Sequence, residues 1–229
     1  VPARQFQVQS GDTAMQFLHR LILPEGVTTI ESDAFQNSYI DSLALPSTLR
    51  TIGEGAFYYS HIQEINMPDS CVGIFSDSSG SHSDRQPVFR GMYWLRKLKC
   101  AKNWTNIPSQ AFAYCYYLEE VTLPEKLISI GEWAFRGSKY ATYNFPEGLR
   151  SIGTYAFSEC FYAKFGPFPK SLQTISTAAF EYCTGIADLV IPENVTTLEF
   201  GAFQYCGNLK TAEIGQNLYN MDIGKLFYD

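Results

Sequence analysis

Apolar side chains recur along this chain with a period far longer than that of a helix or a strand. Phe35, Phe57, Phe89, Phe112, Phe135, Phe157, Phe180 and Phe203 are separated by 22, 32, 23, 23, 22, 23 and 23 residues, and all but Phe89 follow an alanine. Five residues before each of them, again excepting Phe89, stands Ile30, Ile52, Ile107, Ile130, Ile152, Ile175 or Leu198. Seven units open on an apolar residue followed by proline: Leu23-Pro24, Leu45-Pro46, Met67-Pro68, Leu123-Pro124, Phe145-Pro146, Phe168-Pro169 and Ile191-Pro192. The unit reads L-x-x-L-x-L-P-x-x-L-x-x-I-x-x-x-A-F-x-x-C/S. Self-similarity at such a period marks a repeat architecture.

Within the unit, the segment before proline alternates apolar and polar, as in Val121-Thr122-Leu123, and predicts a short strand with one face inward. Proline ends it because it has no N–H to give to a sheet ladder. The following stretch, such as 127–135, predicts a second short extended piece and one tight helical turn, with Gly53, Gly131 and Gly153 placed where the chain bends. One unit cannot bury its own apolar residues, so stacked copies must share a core. The expected product is an α/β repeat solenoid with short parallel strands on a ribbon face and short strands plus helical turns on the return face. About nine rungs at the spacing of β-strands make a stack on the order of 45 Å long.

These residues resemble the BspA-like, Treponema-type leucine-rich repeats of bacterial cell-surface proteins, over about Leu18 to Leu226. The resemblance implies a right-handed leucine-rich-repeat coil, a cell-surface or extracellular location, and adhesion to host matrix or to other surface proteins without a cofactor. Residues 1–17 contain no full unit and are expected to form an N-terminal cap or partial repeat. Residues 18–229 are expected to be the repeat domain, with an insertion at 75–86. A degraded ninth unit closes the chain, with Met221 and Leu226 in the Ile and Phe slots. Since the chain begins at Val1, it reads as a processed or trimmed segment.

Composition narrows the partners. Of the 229 residues 45% are hydrophobic and 17% charged, with 17 Lys+Arg against 23 Asp+Glu and a net charge of −6. Nucleic acid needs a concentrated positive field, which this balance does not supply. No run of 18 apolar residues occurs, so no membrane span is expected in this segment. Hydrolase, P-loop, dinucleotide and zinc motifs are all missing, which leaves no catalytic, cofactor-binding or metal residue to name and points to a protein that is not an enzyme. His82, Asp77 and Asp84 in the insertion lack the spacing of a cation loop.

Four of the six cysteines, Cys115, Cys160, Cys183 and Cys206, stand three residues after the unit phenylalanine, where other units have Ser38, Ser60 and Ser138. Cys100 fills an inward strand slot and Cys71 the slot of Val27. Free buried thiols are expected, because equivalent side chains in a ladder point in parallel and a bridge needs them to turn toward each other.

Binding is expected on the outward ribbon positions. The candidates for partner contact are Arg20, Glu64, Arg96, Lys97, Lys99, Glu120, Phe165 and Asp188. Arg96, Lys97 and Lys99, with Arg90 and Lys102 nearby, form the only basic concentration in an acidic chain, and Phe165 is read as a bare aromatic on an otherwise polar strip. Tyr59, Tyr114, Tyr182 and Tyr205, two residues after the unit phenylalanine, are expected on the outer surface, where they either pack on one another or hold a glycan. The leading expectation is a non-enzymatic module for protein–protein interaction or adhesion. The alternatives are a carbohydrate-binding component of a polysaccharide-utilisation system and a structural spacer.

Overall fold

The computed structural model describes residues 4–6, 18–74, 87–218 and 226–227. The predicted units are the rungs of a parallel β-solenoid of about eight turns. One series of strands forms the ribbon: β2 (Arg20–Ile22), β4 (Ser42–Ala44), β6 (Glu64–Asn66), β8 (Lys97–Lys99), β10 (Glu120–Thr122), β12 (Thr142–Tyr143), β14 (Lys164–Phe165), β16 (Asp188–Ile191) and β18 (Thr211–Ile214). The other forms the return face: β1 (Arg4–Phe6), β3 (Val27–Ile30), β5 (Thr51–Ile52), β7 (Gly73–Ile74), β9 (Asn106–Ile107), β11 (Ser129–Ile130), β13 (Ser151–Ile152), β15 (Thr174–Ile175) and β17 (Thr197–Leu198). All pairing is parallel, rung to rung, as in Val121 opposite Leu98 and Ile130 opposite Ile152. Ribbon strands such as β6 and β8 send their middle residue into the core, and return strands β3 to β15 send in their terminal isoleucine, which bears out the predicted alternation. After each unit proline the chain reverses, with the proline carbonyl accepting the N–H three residues on, as from Leu127 to Pro124 and from Leu149 to Pro146.

The core is a column of phenylalanines. The rings of Phe35, Phe57, Phe89, Phe112, Phe135, Phe157, Phe180 and Phe203 stack in that order with centroids 5.2–5.6 Å apart. All eight are fully buried. The 32-residue interval leaves no gap in this column, since Phe57 and Phe89 stack at 5.6 Å. The extra residues, 75–86, lie outside the described ones, and with them His82, Asp77 and Asp84. At the C-terminal end Phe203 N–H donates to Leu226 O and its ring faces Phe227 at 6.3 Å. In the rungs of Phe35, Phe57, Phe112, Phe135, Phe157 and Phe180 that carbonyl belongs to the residue before the next phenylalanine. Phe227 therefore takes the Phe slot and Leu226 the preceding one, a shift of one from the expected phase.

The helical turn is the expectation that fails: the described residues contain no helix. Residues two before and two after the unit phenylalanine adopt left-handed backbone, as at Trp133 (φ 58°), Gly137 (φ 77°), Tyr155 (φ 53°) and Glu159 (φ 62°). Such residues interrupt any right-handed run and each costs on the order of 1–2 kcal/mol when it carries a side chain. What offsets that cost is hydrogen bonding to the next rung. Trp133, Phe135 and Gly137 donate their N–H groups to the carbonyls of Thr154, Ala156 and Ser158 at 2.8–3.0 Å. The turn is thus a third cross-rung ladder, which a spacing of residues within one unit does not reveal.

The glycines at the ends of return strands also act differently from expectation. Gly131 has no unusual φ; a Cβ there would lie 2.6 Å from the Ser109 amide nitrogen, so the residue is small because the neighbouring rung passes against it.

Candidate functional site

The outward ribbon positions form two exposed columns in register. Arg20 lies beside Ser42 near the N-terminal end, while Glu64, Lys97 and Glu120 stand side by side on β6, β8 and β10. Their flanking partners Asn66, Lys99 and Thr122 form the second column. All these residues are exposed.

The basic concentration is neutralised by its neighbours. Arg96 pairs with Glu119 at 2.6 Å, Lys97 with Glu120 at 2.9 Å and Lys102 with Asp69 at 3.2 Å. Hydrogen bonding to Glu120 and its charge raise the Lys97 pKa, and the backbone N–H of Lys102 lowers that of Asp69. Arg90 turns the other way, donating to Gln110 at 2.7 Å and lying over the Tyr114 ring. Among the described residues Lys99 forms no ion pair. Exposed pairs of this kind contribute about 0–1 kcal/mol each, so they tune the surface field more than they hold the fold.

Phe165 is not the bare outward aromatic the sequence led us to expect. It pairs with Tyr143 across the ladder, is half-buried, and meets Phe180 edge-to-face at 5.1 Å. Lys164 holds the outward place instead. In this unit the additional residue falls after the strand, at Gly166-Pro167, and not in the preceding turn where the 23-residue spacing had been absorbed elsewhere.

That displacement opens the ribbon. Strands β6 to β14 form one continuous sheet and β16 pairs with β18, but β14 and β16 share no ladder. Between them lies a half-open cleft of about 270 Å³ walled by Phe165, Pro167 and Phe168 on one side and by Ile186, Leu189 and Val190 on the other. Asp188 stands at its rim, its carboxylate accepting a 2.6 Å bond from Thr211 Oγ1. Behind the cleft the backbones close tightly: a Cβ on Gly185 would fall 2.2 Å from the Ala163 carbonyl oxygen. The structure thus brings Phe165 and Asp188 together at one cleft and leaves Arg20, at the far end of the ribbon, apart from it. The sequence signal for the cleft was the Gly-Pro pair, which breaks a ladder on both counts.

The six cysteines are buried thiols. Those of the turn donate S–H to the phenylalanine carbonyl one rung back: Cys115 to Phe89 at 3.5 Å, Cys160 to Phe135 at 3.3 Å, Cys183 to Phe157 at 3.1 Å and Cys206 to Phe180 at 3.2 Å. Burial raises the pKa of Cys71 to about 11 and those of Cys100, Cys115, Cys160 and Cys183 further. Thiols so shifted are poor nucleophiles. The Ser38 and Ser60 hydroxyls in the same slot have no hydrogen-bond partner among the described residues.

A column of stacked phenylalanines, three cross-rung ladders and an outward ribbon define a leucine-rich solenoid whose surface is the part free to vary. The sequence profile of the BspA type leucine rich repeat region matches residues 14–81 and 86–228 in 6 copies, and the chain belongs to that family. Three solved structures share the fold. The T. pallidum leucine rich repeat protein is 22% identical with a TM-score of 0.59, over 84% of this chain and 78% of its own. The pneumococcal vaccine antigen PcpA is 20% identical with a TM-score of 0.50, over 94% and 67%. A leucine rich cell surface protein from Faecalibacterium prausnitzii is 22% identical with a TM-score of 0.50, over 86% and 69%. No curated protein matches the chain. No helix of the described residues is long and apolar enough to cross a membrane.

Proposed function

We propose that this chain is a non-enzymatic binding module of a bacterial surface or exported protein, and that its partner is a protein docked on the ribbon. The observation that carries the reading is the cleft between β14 and β16. Ladder bonding along the ribbon also stops between β4 and β6, but there the strands stay in contact, whereas between β14 and β16 they part around a cleft with apolar walls and a carboxylate at the rim, of a size to take one aliphatic or aromatic side chain. Interfaces draw most of their affinity from such buried anchors, with a polar rim around them. The charged rungs β6 to β10 supply that rim and set orientation and association rate more than affinity. Leucine-rich repeats bind proteins as a general property of the architecture, and the F. prausnitzii relative is described as a cell surface protein.

Surface plasmon resonance of the chain over immobilised matrix proteins at physiological salt tests the reading. Binding to at least one of them is expected, weakened at least ten-fold by Asp188→Arg and by Val190→Asp. No binding across the panel, or binding that both substitutions leave unchanged, overturns it.

A further inference from the structure

A second surface, on the turns, is independent of the ribbon. Four or five residues after the unit phenylalanine, six consecutive rungs carry an aromatic or imidazole ring: Tyr39, His61, Trp94, Tyr117, Tyr140 and Tyr162. Neighbouring centroids are 4.6 Å apart for Tyr39 and His61, 5.9 Å for His61 and Trp94, 5.9 Å for Trp94 and Tyr117, and 5.5 Å for Tyr140 and Tyr162. Tyr39, Trp94, Tyr117 and Tyr140 are each nearly half exposed and Tyr162 is 62% exposed, a large amount of ring for a row that packing alone would bury. Beside it, nearer the core, a second row runs through Tyr59, Tyr93 and Tyr116, whose centroids are 5.3 and 5.1 Å apart, to the ammonium of Lys139, 4.7 Å from the Tyr116 ring centroid. At one end the two rows enclose a shallow cleft of about 280 Å³, lined by Tyr59, Ser60, His61, Gly91, Tyr93 and Trp94.

We propose that this double row is a binding platform for a neutral, extended polysaccharide lying along the solenoid axis, about one sugar ring to each rung. Three features select that occupant. The rings carry hydroxyl, indole and imidazole groups at the rims of apolar faces, a combination suited to a ligand with both C–H faces and hydroxyls. Within the two rows only His61 and Lys139 can carry positive charge, and of the arginines beside them Arg136, near Tyr116, is paired with Glu159 while Arg90, near Tyr59, donates to Gln110, so the strip lacks the electrostatic funnel that a single-stranded nucleic acid requires. The rings recur once per rung, stacked in two runs, Tyr39 to Tyr117 and Tyr140 to Tyr162, at a spacing close to the length of one pyranose unit in an extended chain. A polyproline II peptide repeats its face only about every 9 Å, roughly two rungs, and leaves alternate rings unused.

Affinity gel electrophoresis of the 229-residue chain through hydroxyethyl cellulose, glucomannan and xylan, with a polyproline peptide and bovine serum albumin mobility as references, tests the proposal. Retardation by at least one polysaccharide is expected, with Trp94→Ala/Tyr117→Ala weakening it at least ten-fold. Tyr140→Ala/Tyr162→Ala should weaken it as well, and Lys97→Glu/Lys99→Glu on the ribbon should leave it unchanged. All these side chains are exposed, and a native circular dichroism spectrum identifies variants fit for comparison. Absence of retardation in all three polysaccharides, retardation that both aromatic double variants retain, or displacement of the polysaccharide by the polyproline peptide overturns it. The ribbon reading survives any of these outcomes, because its assay uses other residues and other ligands.

Discussion

Every rung shows solvent two strips, the ribbon strand and the turn leading into it, and the two obey different rules. On the ribbon, alternation sends one side chain into the core and its neighbours out, so Glu64, Lys97 and Glu120 carry no packing duty: Lys97 pairs with Glu120, and Glu64 accepts a bond from Asn66. On the turn, left-handed residues and cross-rung amide bonds fix the backbone, and even the exposed rings lean on the rungs beside them. A strip of the first kind can change composition with little consequence for folding. In the second kind, surface chemistry and architecture are the same residues. Both strips stand on the phenylalanine column, and this common support gives the first way to test the contrast.

Phe135→Ala should take away that support for both at once. A fully buried phenylalanine replaced by alanine costs about 3–5 kcal/mol, read as a fall in the urea midpoint. A cost below about 1 kcal/mol would mean that the rungs are stabilised independently of the column. The next effect in size separates the strips by pH. Burial raises the turn thiols above the value near 8.5 of an unfolded cysteine, so above that pH the unfolded chain loses protons that the folded chain keeps. Stability should therefore be full below about pH 8.5 and fall as pH rises beyond it, by up to about 1.4 kcal/mol per pH unit for each thiol. Cys160→Ala and Cys183→Ala should each flatten that alkaline slope, measured by urea titration at a series of pH values. An unchanged slope would show that these thiols ionise as freely folded as unfolded.

A smaller gain is expected from Ser60→Cys. The serine hydroxyl has no partner among the described residues, whereas cysteines in the same slot reach the phenylalanine carbonyl one rung back. Satisfying a buried donor in this way is worth about 1 kcal/mol, visible as a raised thermal midpoint. The smallest effect belongs to the ribbon: Lys97→Ala should move stability by no more than about 0.5 kcal/mol while changing the salt dependence of partner association. A larger loss would show that the ribbon is bound into the fold as the turn is.

Much of this molecule was legible before any coordinates. The recurrence of Ala-Phe, the isoleucine five residues earlier and the closing proline determined that the chain stacks, which residues face inward, and that the cysteines lie inside, because in and out are properties of phase within one unit and every copy repeats them. Tertiary structure decided what depends on the distance to the next copy. The left-handed turn exists because its amides find partners one rung away, not within the segment that seemed to favour a helix. Arg96 and Lys97 are neutralised because Glu119 and Glu120 arrive beside them from 23 residues down the chain. Phe165 turned inward, and the cleft opened, because an additional residue was absorbed at Gly166-Pro167 after the strand; the spacing between phenylalanines is the same wherever in the unit that residue is placed. The row from Tyr39 to Tyr162 escaped notice for a related reason: its offset from the phenylalanine is four residues in the first two rungs and five in the next four, and only stacking of the rungs brings those rings together.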